Sequence, residues 1–122
     1  MKHNKNKQII KKILNYCKDV ELAHKHFQDD KILFFDKEAG IVYRNAIAMP
    51  ILQIGELAKN FSADFILKYN SMEWKEIIRT RDFFAHHYGD INYNTLWNTS
   101  HEDIEQLKNY LLEILPDFDN VL

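Results

Sequence analysis

Glycine and proline are almost missing from this chain, and that restricts its fold more than any other feature. Gly40, Gly55 and Gly89 are the only glycines, and Pro50 and Pro116 the only prolines, among 122 residues. Tight turns draw on these two residue types for left-handed or fixed-φ positions. A sheet of many short strands would need more of them, whereas long helices joined by short loops need few. The length suits one domain over residues 1–122, and an apolar content of 46% suits a packed core rather than a disordered chain.

Hydrophobic spacing fills in the helices. Ile9, Ile13, Tyr16, Cys17, Val20 and Phe27 recur at three- and four-residue steps, which predicts a helix from about Lys5 to Phe27. Asp29, Asp30 and Lys31 break it, and Ile32 to Phe35 is a helical turn or a packed connector. A second helix spans about Lys37 to Phe61. Its apolar surface is read as Val42, Ala46, Met49, Leu52, Ile54, Leu57, Ala58 and Phe61. Pro50 lacks the amide that would bond to Ala46, so a kink is expected there. Gly55 marks a close contact between helices. Ser62 caps a short helix ending near Tyr69. Ser71 caps a helix from Met72 to about Tyr88, with an apolar side of Trp74, Ile77, Ile78, Phe84 and Ala85 and with Gly89 as its C-terminal stop. Asp90 to Ser100 reads as a connector anchored by Leu96 and Trp97. A last helix starts at Ser100 or His101, buries Ile104, Leu107, Leu111 and Leu115, and ends at Pro116. The fold class is all-α: an up-and-down bundle of about four main helices plus short connecting helices.

The formal charge of −2 gives no global signature of a nucleic-acid binder, so any such affinity needs a local patch. Lys11 and Lys12 follow Ile9 and Ile10 at once, which leaves no apolar core for an export signal, and no segment approaches the ~20 apolar residues of a membrane span. The single Cys17 makes no internal disulfide and is expected to pack as a small apolar residue. These features fit a cytoplasmic protein without a membrane partner. Paired cysteines, a His-Glu-x-x-His motif and a glycine-rich phosphate loop are all missing. His24, His26 and His101 read as scattered, so no metal and no cofactor is expected.

Chemistry concentrates in Arg81-Asp82-Phe83-Phe84-Ala85-His86-His87-Tyr88. Arginine holds phosphate with paired hydrogen bonds. Histidine moves protons near neutral pH, and a phenol can bind or accept a phosphate group. On a helix turning about 100° per residue, Arg81 and Tyr88 share one face and Arg79 and His86 another, while Arg81 and His86 stand about 140° apart. The pair meets only if the helix loosens near Gly89 or a second copy of the chain completes the site. Asp82, one turn before His86, is a candidate to orient the imidazole.

Arg81-x4-His86-x-Tyr88 resembles the Arg-x4-His-x-Tyr signature of the HepT-like toxins of the HEPN superfamily (higher eukaryotes and prokaryotes nucleotide-binding). Ile54-Gly55-Glu56-Leu57-Ala58, Trp74-x2-Ile77, Ile91 and Trp97 resemble further family positions in the same order. The resemblance implies a dimerising all-α bundle that acts as a metal-independent ribonuclease. It implies Arg81 and His86 as catalytic residues, and an MntA-like nucleotidyltransferase antitoxin as the partner in a type VII toxin–antitoxin system. It further implies that AMP transferred to Tyr88 silences the protein. Arg79 and His87 satisfy looser Arg–His spacings and stay candidates for substrate binding. RNA is the expected substrate, with tRNA one target. The alternative is a non-catalytic helical module that docks a nucleotidyltransferase or binds a nucleotide.

Overall fold

The computed structural model describes residues 2–87 and 92–119, with side chains for all of these but Lys2 and His87. Their regular elements are all helices, with no strand among the described residues, and the expectation of an all-α bundle holds. Three long antiparallel helices carry the architecture. Helix α1 (Lys2–His26) packs against α3 (Ile41–Ala58), and α3 lies between α1 and α5 (Trp74–His87). Helices α6 (Tyr93–Asn98) and α7 (Ile104–Ile114) are joined by a π-helical turn at Thr99–Asp103, and α7 returns along α1. Short helices α2 (Lys31–Phe35) and α4 (Ala63–Lys68) close the connections, and a 3₁₀ turn at Leu115–Phe118 follows α7. None of the described helices is long and apolar enough to cross a membrane.

The apolar stripe of α1 is buried as spaced, with Ile10, Ile13, Cys17 and Val20 fully enclosed. Burial pushes the Cys17 thiol up to about 12, so it packs as a neutral apolar group. Helix α1 stops in a Schellman arrangement: Gln28 N donates to Lys25 O at 3.0 Å and Asp29 N to His24 O at 2.7 Å. Gln28 and Asp29 both take positive φ, 58° and 53°, where glycine is the usual occupant. Asp30 then caps α2 by accepting from Leu33 N at 3.0 Å.

Helix α3 runs unbroken through Pro50. Its buried face differs from the one read in the sequence. Tyr43, Ile47, Ala48, Ile51, Ile54, Gly55 and Ala58 face inward, while Val42 and Met49 are exposed. The helix is apolar on nearly every side, so spacing alone could not pick the face, and its position between two neighbours did. Its first turn is held by Arg44, which is buried. Arg44 Nη1 donates to Phe34 O and Asp36 O, and Nη2 to Lys37 O, each at 2.7 Å. The guanidinium also lies 4.0 Å from the centroid of the Tyr93 ring. One side chain thus gathers the whole 34–37 turn.

Ser62 caps α4 as expected, accepting from Phe65 N at 3.2 Å, and it is fastened to α1 through reciprocal bonds with Asn6 of 3.0 and 3.1 Å. Helix α5 begins at Trp74 rather than Met72. The carbonyl of Glu73 accepts from Ile77 N at 3.1 Å, so the Glu73 carbonyl, not a Ser71 cap, opens the helical ladder. Ala85 of α5 is exposed rather than apolar-facing.

The expected connector at 90–100 is helical from Tyr93. Asn92 caps it by accepting from Asn94 N and Thr95 N at 2.8 and 3.2 Å, and Leu96 is buried at once. The start expected at Ser100 or His101 lies inside the π-helical turn. On α7, Ile114 is buried and Leu115 only partly so. Gly89 and Ile91, read as a helix stop and a family position, lie outside the described residues.

Candidate active site

Arg81 owes its place to Gly55. A β-carbon built on Gly55 would lie 2.1 Å from Arg81 Cβ and 2.7 Å from its Cγ. Only a residue without a side chain lets α5 come this close to α3, which confirms the close contact read from the sequence. Gly55→Ala is therefore expected to push α5 away. Overpacking of this kind costs about 1–3 kcal/mol, more than the ~1 kcal/mol of helix propensity that alanine returns. The larger effect falls on any chemistry that uses Arg81, since a shift of about 1 Å can cost ~10²-fold in rate. Urea melts and cleavage rates of Gly55→Ala check both parts; wild-type values for each would show that α5 yields freely.

The Arg81 guanidinium is held at both ends. Nη2 lies 2.8 Å from Glu56 Oε2, and Nη1 lies 3.0 Å from Asp82 Oδ1. The Asp82 carboxylate also meets Lys59 Nζ at 3.3 Å. Hydrogen bonds from Arg81 and then Lys59 hold the Asp82 pKa below the ordinary carboxylate value. The side chain of Arg81 is 26% exposed, against 50% for Glu56, so the cation is set in a shallow seat with an acidic rim. Glu56 and Lys59 were not assigned a role from sequence. Glu56 stands beside Gly55, one helical turn from Lys59, and that spacing was the available signal.

Asp82 does not orient His86. Its carboxylate is turned toward Arg81 and Lys59, and His86 makes no hydrogen bond or ion pair among the described residues. His86 is exposed. Helix α5 is regular through His87, so no loosening within the described residues brings Arg81 and His86 onto one face. Arg79 forms an exposed i,i+3 pair with Glu76 at 2.8 Å, a contact typically worth well under 1 kcal/mol. That pair leaves Arg79 available to a stronger anion. Tyr88 and the side chain of His87 lie outside the described residues.

The histidines read as scattered are not all so. His24, in the last turn of α1, and His101, in the π-helical turn, lie with ring centroids 3.9 Å apart and their planes tilted by 35°. Nothing local in the sequence pairs them, because the contact forms only when α1 and the α6–α7 segment pack. His26 instead lies edge-on to Phe27 with centroids 4.9 Å apart.

Residues 7–114 match the family model described as "Ribonuclease HepT-like". The chain is 35% identical over 81 residues to "Putative RNase MJ0127" of Methanocaldococcus jannaschii, covering 63% of this chain and 67% of that protein. It is 29% identical over 99 residues to "Putative RNase TTE0752" of Caldanaerobacter subterraneus, covering 74% and 88%. A third relative, "Probable ribonuclease HepT" of Thermococcus cleftensis, is 40% identical over 55 residues, covering 45% of this chain and 50% of that one. No solved structure matches.

Proposed function

This chain belongs to the HepT-like family of the HEPN superfamily, and from that membership we propose that it is a metal-independent endoribonuclease with Arg81 and His86 as its catalytic pair. One observation carries the reading: a cation fixed by Gly55, Glu56 and Asp82 sits five residues before an exposed imidazole on one rigid helix.

In the proposed reaction the ribose 2′-oxygen attacks the adjacent phosphorus. His86 takes the 2′-hydroxyl proton, the P–O5′ bond breaks, and the 5′-oxygen leaves with the proton that the His86 imidazolium gives back. Arg81 binds the scissile phosphate and stabilises its developing charge. The phosphate displaces Glu56 from Nη2, exchanging one anion for another without moving the arginine. The products are a 2′,3′-cyclic phosphate and a 5′-hydroxyl.

The 140° between Arg81 and His86 favours a homodimer in which each site takes its arginine from one copy and its histidine from the other. Val42 and Met49 of α3, 68% and 53% exposed, supply apolar area suited to such a contact. Arg79 and His87 are proposed to bind flanking phosphates. The protein acts in the cytoplasm as the toxin of a type VII pair. Its MntA-like antitoxin transfers AMP from ATP to the Tyr88 oxygen, releasing pyrophosphate. The added negative charge beside Arg81 then opposes RNA. The formal charge of −2 favours the rival reading, a non-catalytic module that presents Tyr88 or a nucleotide to the nucleotidyltransferase.

The experiment is incubation of the purified chain with total tRNA in excess EDTA. Cleavage that leaves cyclic phosphate ends, with an all-deoxy substrate intact, is the expected result. Cleavage that requires an added divalent ion, or that proceeds on DNA, would overturn the mechanism. No cleavage of any RNA, together with tight binding of the nucleotidyltransferase, would favour the module.

A further inference from the structure

At the other end of α3, about 18 Å along its axis from Gly55, Tyr43 faces a polar cluster that the proposed chemistry does not use. His24 is buried there, and its Nε2 lies 2.8 Å from Ser100 Oγ. Ser100 Oγ is 2.9 Å from the carbonyl of Trp97, which can only accept, so the serine proton goes to Trp97. Ser100 must then accept from His24, which places the ring proton on Nε2 and leaves a lone pair on Nδ1. Tyr43 O–H donates to that lone pair at 2.5 Å.

His101 is fixed by the same logic. Its Nδ1 lies 2.9 Å from Trp97 O and must be an N–H, so Nε2 is the nitrogen turned to Asp29 Oδ1, at 2.6 Å. Asp29 Oδ1 is also 3.6 Å from His24 Nδ1. Both imidazoles therefore spend one nitrogen on an acceptor anchored to Trp97 and aim the other at one carboxylate oxygen. This is the outer-shell pattern that orients histidine ligands on metals. One ligand atom from each of the three residues falls within a 4.8 Å span.

We propose that His24, Asp29 and His101 bind one divalent transition-metal cation of the zinc class, pinning the end of α1 to the π-helical turn. Two imidazoles and a carboxylate suit zinc, nickel or cobalt rather than calcium or magnesium, which prefer all-oxygen shells. Tyr43 or a water supplies the fourth position. A proton now bridges His101 Nε2 and Asp29 Oδ1, and the cation replaces it. His101 Nε2 and Asp29 Oδ1, 2.6 Å apart, must part by roughly 1 Å, since two tetrahedral ligands at ~2.1 Å stand about 3.4 Å from each other. Asp29 is 60% and His101 31% exposed in their side chains, which opens a path for the ion. The positive φ of Asp29 is accounted for, because it is this turn that brings the carboxylate over both rings.

The test uses the full chain in chelator-stripped buffer, titrated with ZnCl₂ by calorimetry and followed by thermal melting. One zinc per chain and a raised melting temperature are expected. Asp29→Asn keeps a residue type that tolerates the left-handed turn. It and His101→Ala should each weaken binding by at least about tenfold and remove the thermal shift. His86→Ala should bind zinc as the wild type does. Co²⁺ on the wild-type chain gives a second readout that needs no variant: a four-coordinate absorption spectrum is expected. Absence of saturable binding, a six-coordinate aquo-like cobalt spectrum, unchanged affinity in both cluster variants, or loss of binding in His86→Ala would each overturn the site.

Discussion

His86→Ala is expected to lower single-turnover cleavage of tRNA by about 10²–10⁴-fold, the range for removing a general base or acid. Its effect on folding should stay within about 0.5 kcal/mol, because the side chain is exposed and makes no hydrogen bond or ion pair among the described residues. That separation of activity from stability makes the variant a clean probe. Retention of activity within about tenfold would remove His86 from the chemistry and turn attention to His87. The same variant tests how the site is assembled. When Arg81→Ala and His86→Ala chains are mixed and allowed to exchange, a composite site regains one intact arginine–histidine pair per mixed dimer. Random pairing then restores roughly a quarter of wild-type activity. If each chain carries its own complete site, the mixture stays inactive.

Arg44→Met is expected to be the most destabilising single change, at about 3–5 kcal/mol. The guanidinium makes three 2.7 Å bonds to the carbonyls of Phe34, Asp36 and Lys37, and each hydrogen bond to a charged donor is typically worth ~1.5–3 kcal/mol without being additive. A methionine fills similar space but leaves the three carbonyls without that donor. Gly40 offers no compensation. A β-carbon there would lie 2.4 Å from both Arg44 Nη1 and Leu33 O, so the turn is built around the arginine. For a domain of this size the loss corresponds to roughly 10–20 °C in melting temperature. Arg44→Lys should recover part of it, since an ammonium keeps the charge but not the fork. A loss below about 1 kcal/mol for Arg44→Met would mean that water satisfies the carbonyls and that the turn holds itself.

What could be read in the sequence was what depends on neighbours along the chain. Ser62 caps α4, Gly55 admits α5, and the stripe from Ile9 to Val20 is buried, because each follows from local geometry or period. The segment from Asn92 to Asn98 was misread for a physical reason. Asn92, Asn94, Thr95 and Asn98 all compete with the helix for backbone bonds, and the burial of Leu96 against the core decides the outcome. Helix α3 failed differently: with apolar residues almost all round, Val42 and Met49 fitted the pattern as well as Tyr43 and Ile47 did. At the site, the sequence singled out Arg81 and His86 but not the outside partners of the Arg81–Asp82 pair, since Glu56 and Lys59 come from the neighbouring α3 segment. The contact between His24 and His101 was out of reach for the same reason.

Cys17 has a practical consequence. It is fully enclosed and its thiol stays protonated until about pH 12, so it offers almost no thiolate to an alkylating reagent. The native chain is thus a silent background for labelling. A cysteine introduced at Leu67, 72% exposed on α4, would be the sole point of attachment for a spin label or fluorophore. Distances between two copies could then be measured spectroscopically without first removing the residue that nature placed inside.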